Sequence, residues 1–252
     1  MFGAWRFIIL LARLLPTWQR LPVVGQDQRA FFLDLRDQCC IGILTNGFGE
    51  QSEMKLVSSL LAADSVSLDI GANVGIWTRF LGVLSPQGKV YAFEPSRVTF
   101  DLLVANCQGL ANVQPLRMAL SDVVGRMGFS VDLSSDLRHL GEGELVTVTK
   151  LDEWIAASGL ERLDFIKLDV EGAEFKVLQG GIKTLRRFVP TILFEYIPKN
   201  TNWFGGYRRD EMMRMIEGLG YTVRRVTQSG ALSEDLERTG DVTNNYLAYA
   251  SY

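Results

Sequence analysis

From Val66 onward the chain alternates short apolar runs with amphipathic stretches, and this rhythm restricts the fold more than any other feature. VSLDI (66–70), KVYAF (89–93), VQPLRMAL (113–120), LDFIKL (163–168) and PTILFEY (190–196) read as strands. Between them, 74–84, 96–110, 151–158 and 172–188 carry apolar residues at helical spacing. Strands and helices taking turns in this way predict an α/β fold, a mostly parallel sheet with helices on both faces. One interruption, 121–150, reads as a β-hairpin insertion: RMGFSV and ELVTVTK joined by the polar loop SSDLRHLGEGE. A helix at 208–219 and strands at 221–226 and 246–250 complete the domain.

In open sheets of this kind the ligand lies beyond the carboxyl ends of the strands, near the switch point in strand order. The residues just after each strand are Asp69–Gly75, Glu94, Ser121 and Asp122, Asp169–Glu171, and Glu195, and each place holds a carboxylate. The turn after the first of these strands, DIGANVG, spaces Gly71 and Gly75 as G-x-x-x-G with Asn73 between them. A dinucleotide fingerprint would place a second glycine at that middle position, so that the backbone could touch a pyrophosphate. Asp69 also sets a negative charge where a phosphate would lie. A zwitterion fits better, its carboxylate on the loop amides and its ammonium toward Asp69. Glu94 suits the two hydroxyls of a ribose, and Asp122, beside Ser121, an adenine amino group. An amino-acid end and a nucleoside end together describe S-adenosylmethionine.

LDIGANVGIWT, VYAFEPS, the Asn106 of LLVANC, NVQPLRMALSD, TVTKLDEW and DFIKLDVEGAEFKVLQGG follow one another from about residue 49 to about residue 196. In order and spacing they resemble the motifs of the FkbM family of methyltransferases. The resemblance implies a class I, Rossmann-like methyltransferase fold, S-adenosylmethionine as cofactor, and transfer of its methyl to a hydroxyl of a sugar or secondary metabolite. It also implies Asp69, Gly71, Asn73, Gly75, Glu94 and Asp122 as cofactor residues. Two other classes stay open at this stage: a nicotinamide-dependent oxidoreductase on a similar sheet, and a methyltransferase-like partner subunit without turnover.

An alcohol acceptor loses its proton as the new bond forms, so a base near the methyl is useful. Asp169 and Glu171, two apart where a strand ends, are the leading candidates. With Glu195 they also offer oxygen ligands to a divalent metal, an arrangement not favoured here because D-x-D and histidine ligands are missing. Lys167 and Asp169 alternate on one strand face and are equally suited to a plain ion pair. His139, the chain's one histidine, becomes a further catalytic candidate should its loop fold over the cofactor. Trp203, Phe204 and Tyr207 are candidates for an acceptor wall. The N-methyltransferase motif N-P-P-Y does not occur in the chain.

Bulk properties narrow the partners. A net charge of −3 disfavours a nucleic-acid binder that works through phosphate neutralisation. Three cysteines without paired spacing suit a reducing, cytoplasmic compartment. MFGAWRFIILLARLLPTW is interrupted by Arg6 and Arg13 and reads as an amphipathic helix. Such a helix docks on the domain, on a second copy as a homodimer, or peripherally on a membrane surface. Residues 29–37 and 39–44 read as two short strands and 50–62 as a helix. Residues 1–48 are therefore taken as an N-terminal region and 49–252 as the methyltransferase domain, acting on a small-molecule or glycan acceptor.

Overall fold

The protein is described from a computed structural model covering residues 11, 14, 15, 19–131, 138–141, 143–197, 206–236 and 244–250. The predicted N-terminal helix, apart from Leu11, Leu14 and Leu15, lies outside the described residues, as do Trp203 and Phe204. No helix among the described residues is long and apolar enough to cross a membrane.

The centre is a parallel array of β3 (Val66–Ile70), β4 (Lys89–Phe93), β5 (Val113–Leu116), β10 (Phe165–Leu168) and β11 (Thr191–Tyr196). Three antiparallel strands extend it: β12 (Tyr221–Val226), β13 (Leu232–Ser233) and β14 (Asn244–Ala250). The order across the sheet is β13-β12-β14-β11-β10-β3-β4-β5, so the chain runs outward in one direction from β3 and then resumes on its other side at β10. That reversal places the switch point between β3 and β10, where the open-sheet rule puts a ligand.

Alternation along the strands sorts side chains to two faces. Leu68, Ile70, Phe93, Ile166, Leu168 and Phe194 pack with residues of α5 (Leu151–Ser158), α6 (Glu174–Gln179), α7 (Ile182–Phe188) and α8 (Arg209–Glu217). On the other face Val90, Phe165 and Leu193 meet α2 (Gln51–Ser58) and α3 (Ile76–Leu84) through Met54, Val57, Trp77 and Leu81. Two further helices among the described residues are α1 (Gln38–Asn46) and α4 (Arg97–Asn106).

Four sequence expectations change. Residues 39–44 form helix α1 instead of a strand, because Asp37 caps it, accepting from the amides of Cys39 (2.8 Å) and Cys40 (3.3 Å). A short apolar run does not reveal its own period, and the cap decides. Residues 113–120 are two strands: β5, whose Pro115 is accommodated on the sheet edge, and β6 (Ala119–Leu120), which leaves for a second sheet. The hairpin insertion is accordingly a four-stranded sheet, ordered β6-β9-β7-β8 with β7 (Gly125–Val131), β8 (Arg138–Gly141) and β9 (Glu144–Thr149). Finally, 172–188 is two helices broken at Gly180–Gly181. A Cβ on Gly180 would lie 2.1 Å from the Ser121 carbonyl oxygen, so the break is where the backbone of the insertion presses in.

The N-terminal strands β1 (Leu21–Val24) and β2 (Ala30–Leu33) pair with each other and sit on α4. Buried Asn106 accepts from the Phe32 amide (2.6 Å) and donates to the carbonyls of Phe32 (3.0 Å) and Val74 (2.8 Å). One side chain thus ties β2 to the turn that follows β3. Phe31, Leu33, Cys40 and Ile43 make one apolar cluster with Val74 and Leu102, so the region before residue 48 is continuous with the core of the domain.

Candidate active site

A cavity of about 330 Å³ opens at the carboxyl ends of β3, β4 and β10. That volume is within the range of small-molecule and cofactor sites. Of the predicted cofactor residues, Asp69, Gly71, Asn73 and Glu94 line it, as do Asp169 and Glu171.

The β3–α3 turn owes its residue types first to backbone geometry. Gly71, Asn73 and Gly75 all adopt left-handed φ, +88°, +50° and +92°. Glycine does this freely, and asparagine more readily than other side chains. A Cβ on Gly71 would also lie 1.8 Å from the Asp169 carbonyl oxygen. Gly71 therefore lets the turn meet the end of β10, and Gly75 begins α3 without a side-chain cap. The expectation that the loop amides receive a ligand carboxylate is overturned for four of them. The amides of Gly71 and Ala72 go to the Phe93 carbonyl, that of Gly75 to Ala72, and that of Asn73 to Glu94.

Glu94, 3% exposed, is held by three donors. Its Oε2 accepts from the Asn73 amide at 3.0 Å, and its Oε1 from the Ser96 amide and the Thr99 hydroxyl, each at 2.9 Å. The Asn73 side chain donates to Cys39 Sγ at 3.7 Å, while its Oδ1 is buried without a hydrogen-bond partner. Cys39, carried in by α1, lines the cavity too.

The β10 side is built from charges. Lys167, 1% exposed, donates to Asp169 Oδ2 at 3.0 Å and to Glu50 Oε1 at 3.2 Å, with its ammonium 5.4 Å from the Trp77 ring centroid. The ion pair read from the alternation of residues 167 and 169 is therefore present. Burial disfavours the lysine's charge, but Asp169, Glu50 and Glu195 outweigh it and hold the ammonium above its ordinary range. Glu50 also accepts from the Trp77 indole at 2.7 Å, and Asn245 reaches it at 3.5 Å. Burial, then the charge of Asp169, pushes Glu195 well above the carboxylate range, and a side-chain hydrogen bond joins the two. Asp69 is the register neighbour of Lys167 across the β3–β10 pair. Burial pushes it up to about 7, against the pull of the Thr78 hydroxyl and Lys167.

Among the described residues no three His, Cys, Asp or Glu side chains are arranged to hold a metal ion. Of the carboxylates that the sequence also offered to a divalent cation, Asp169 pairs with the Lys167 ammonium at 3.0 Å.

Gly75, Ser121, Asp122 and Tyr207 are not among the residues that line the cavity. Ser121 is buried under Gly180, and Asp122 pairs with Lys176 at 3.1 Å; the cavity takes Met118, Ala119 and Leu120 from this stretch. Burial raises the Asp122 carboxyl, but the Lys176 ammonium outweighs it and keeps the group below its usual range. His139 lies on strand β8 with its backbone opposite Ser130, not in a loop, and its side chain is outside the described part of the structure. Tyr207 is buried, 5.0 Å from Phe175 and 6.1 Å from Tyr196 between ring centroids.

Sequence reasoning missed Glu50, Trp77, Asn245 and Cys39 as cavity residues. Lys167 had a signal of its own, a charge inside an apolar central strand, which requires buried partners. The other four carry none, because their partners lie far along the chain.

Residues 69–223 match the family described as Methyltransferase FkbM domain. The 2-O-methyltransferase NoeI of Sinorhizobium fredii is 34% identical over 161 residues, 54% of this chain and 66% of that protein. The hexuronic acid methyltransferase AglP of Haloferax volcanii is 31% identical over 143 residues, 55% of this chain and 59% of that protein. The matched part spans less than two thirds of either relative's length. In fold, the methyltransferase FkbM from Methylobacillus flagellatus superposes with a TM-score of 0.53 at 16% identity, covering 79% of this chain and 47% of that one. More than half of the chain lies in the matched span, including the β3–α3 turn, Glu94, Asp169 and Glu195, and the protein belongs to the FkbM-domain methyltransferase family.

Proposed function

We propose that the protein transfers a methyl group from S-adenosylmethionine to a hydroxyl of a small molecule or glycan, with a sugar or secondary metabolite as the acceptor class. The observation that carries this reading is Glu94. Its buried carboxylate, fixed by three donors, stands on the cavity wall beside a turn of left-handed residues. Such a group accepts bonds from a ribose diol. The orphaned Oδ1 of Asn73 and the uncapped start of α3 suit the donor and acceptor ends of an amino acid. The names of the relatives, a 2-O-methyltransferase and a hexuronic acid methyltransferase, support O-methylation and a sugar-like acceptor.

S-adenosylmethionine, when bound, supplies an electrophilic methyl on a sulfonium, so the chain's task is mainly to position the acceptor. Asp169 does this by accepting a hydrogen bond from the acceptor hydroxyl. With the cofactor bound, the Asp169 carboxylate would take up the hydroxyl proton of the acceptor as it is methylated. Lys167 and Glu195 hold Asp169 in place, favouring orientation over basicity. Glu171 faces the same cavity and completes the polar wall.

The test is thermal unfolding with S-adenosylhomocysteine and, separately, with NAD and NADP. At ~100 times its dissociation constant a ligand adds ~2.7 kcal/mol, a rise of very roughly 5–10 °C for a chain of this size. The rise is expected with S-adenosylhomocysteine alone and should shrink in Glu94→Ala, which loses ~1.5–3 kcal/mol of affinity as a charged hydrogen-bond acceptor. A rise only with a nicotinamide would overturn the assignment.

A further inference from the structure

The turn that presents Asp169 and Glu171 has a feature that neither residue explains. Glu171 adopts φ +56° and Gly172 follows at +102°. A left-handed glutamate is strained and persists only where its surroundings over-determine it. Beneath the turn lies Glu174, 0% exposed. Its Oε1 accepts from the amides of Val170 (3.0 Å) and Gly172 (3.1 Å), and its Oε2 from the Tyr207 hydroxyl (2.9 Å). The two amides flank Glu171 on either side. Tyr207 is in turn wedged between Phe175 and Tyr196. Taking a carboxylate out of water is costly, and burial pushes Glu174 up to about 7 against its backbone donors. A stable apolar core does not require a charge at this point; the left-handed turn above it requires two acceptors.

We propose that Glu174 is a positioning residue of the methyl-transfer site. It clamps the amides on both sides of Glu171, so that Asp169 and Glu171 face the cavity together, and Tyr207 braces the clamp from the far side. Glu174 itself is sealed from the cavity and touches neither cofactor nor acceptor. The inference rests on the reading of the cavity as an S-adenosylmethionine site with Asp169 and Glu171 near the transferred methyl.

The test needs no acceptor. Sinefungin carries a protonated amine where S-adenosylmethionine carries its methyl, whereas S-adenosylhomocysteine has nothing there. Carboxylates held toward that point should make the wild-type protein bind sinefungin at least tenfold more tightly than S-adenosylhomocysteine, by calorimetry. Glu174→Ala should reduce that preference to less than threefold while S-adenosylhomocysteine still binds. Glu174→Gln, whose amide oxygen can serve both backbone donors, should keep it. Glu174→Asp retains the charge but withdraws it by a methylene, and should behave like the alanine variant; it serves should Glu174→Ala fail to fold. Preference kept in both Glu174→Ala and Glu174→Asp, or in Glu174→Asp alone where Glu174→Ala does not fold, overturns the positioning role and leaves the cofactor site intact. Equal wild-type affinity for the two analogues overturns the placement of the carboxylates. No wild-type binding of S-adenosylhomocysteine overturns the proposed function and this inference with it.

Discussion

At the β4 end of the cavity Glu94 accepts from two backbone amides and a hydroxyl. At the β10 end Asp169 is held by a buried ammonium and hydrogen-bonded to Glu195, and that ammonium is shared with Glu50. The donors to Glu94 come from residues 73 to 99, inside two successive strand–turn–helix units. The groups around Lys167 come from residues 50, 77, 169, 195 and 245, brought together from five separate stretches of chain. A neutral clamp of local origin fixes one carboxylate with little electrostatic risk. The charged cluster fixes several groups at once, but each depends on all the others being present.

The sharpest way to break that contrast is to remove the common ammonium. Lys167→Met keeps an unbranched side chain one atom shorter and leaves Asp169 and Glu50 without their cation. Removing one partner of a buried pair should cost about 3 kcal/mol, at the low end of such losses because both carboxylates retain access to the cavity. Urea unfolding measures it. A loss under about 1 kcal/mol would mean that cavity water already solvates these carboxylates, and the two ends would then differ less than their chemistry suggests.

The same contrast explains what could be read from the sequence. The switch point, the β3–α3 turn, Glu94 and the Asp169–Glu171 turn all follow from strand ends and local spacing, and each is where the sequence put it. Asn106 was visible as part of a motif, although its work of tying Phe32 to Val74 was not. Glu50 and Asn245 could not be found by any local rule. Asn245 lies 195 residues from Glu50, and only the antiparallel return of β14 beside β11 brings it in. Helix α1 was misread for a different reason: its capping Asp37 is a local signal, overlooked beside two cysteines and an apolar run.

Asp69 stands between the two ends and sharpens the comparison through pH. Its carboxyl is raised to about 7 when folded, from an ordinary 3.8. Between those values the folded state binds the extra proton, so stability is fullest below about pH 4 as far as this group is concerned. It is lost as the pH rises through about 7. Glu174 has the same sign. In Asp69→Asn the amide still accepts from Thr78 and no longer ionises. Relative to wild type, the variant should gain of order 1–2 kcal/mol between pH 5 and pH 7.5, followed by urea midpoints across that range. A difference that stays flat with pH would show that Asp69 is charged throughout, neutralised by Lys167 as part of the ionic cluster.

The smallest effect is expected at Asp122, which the sequence placed with the cofactor. Its carboxylate pairs with Lys176, with both side chains about one-third exposed, and it lies outside the residues that line the cavity. An ion pair open to water in this way contributes between 0 and about 1 kcal/mol. Asp122→Asn should therefore leave the affinity for S-adenosylhomocysteine within about threefold of wild type, equivalent to less than ~0.7 kcal/mol. A tenfold loss would instead require the carboxylate to exchange Lys176 for the ligand on binding. The cavity would then extend past Leu120 toward the four-stranded insertion, and the Glu94 end would gain a second carboxylate.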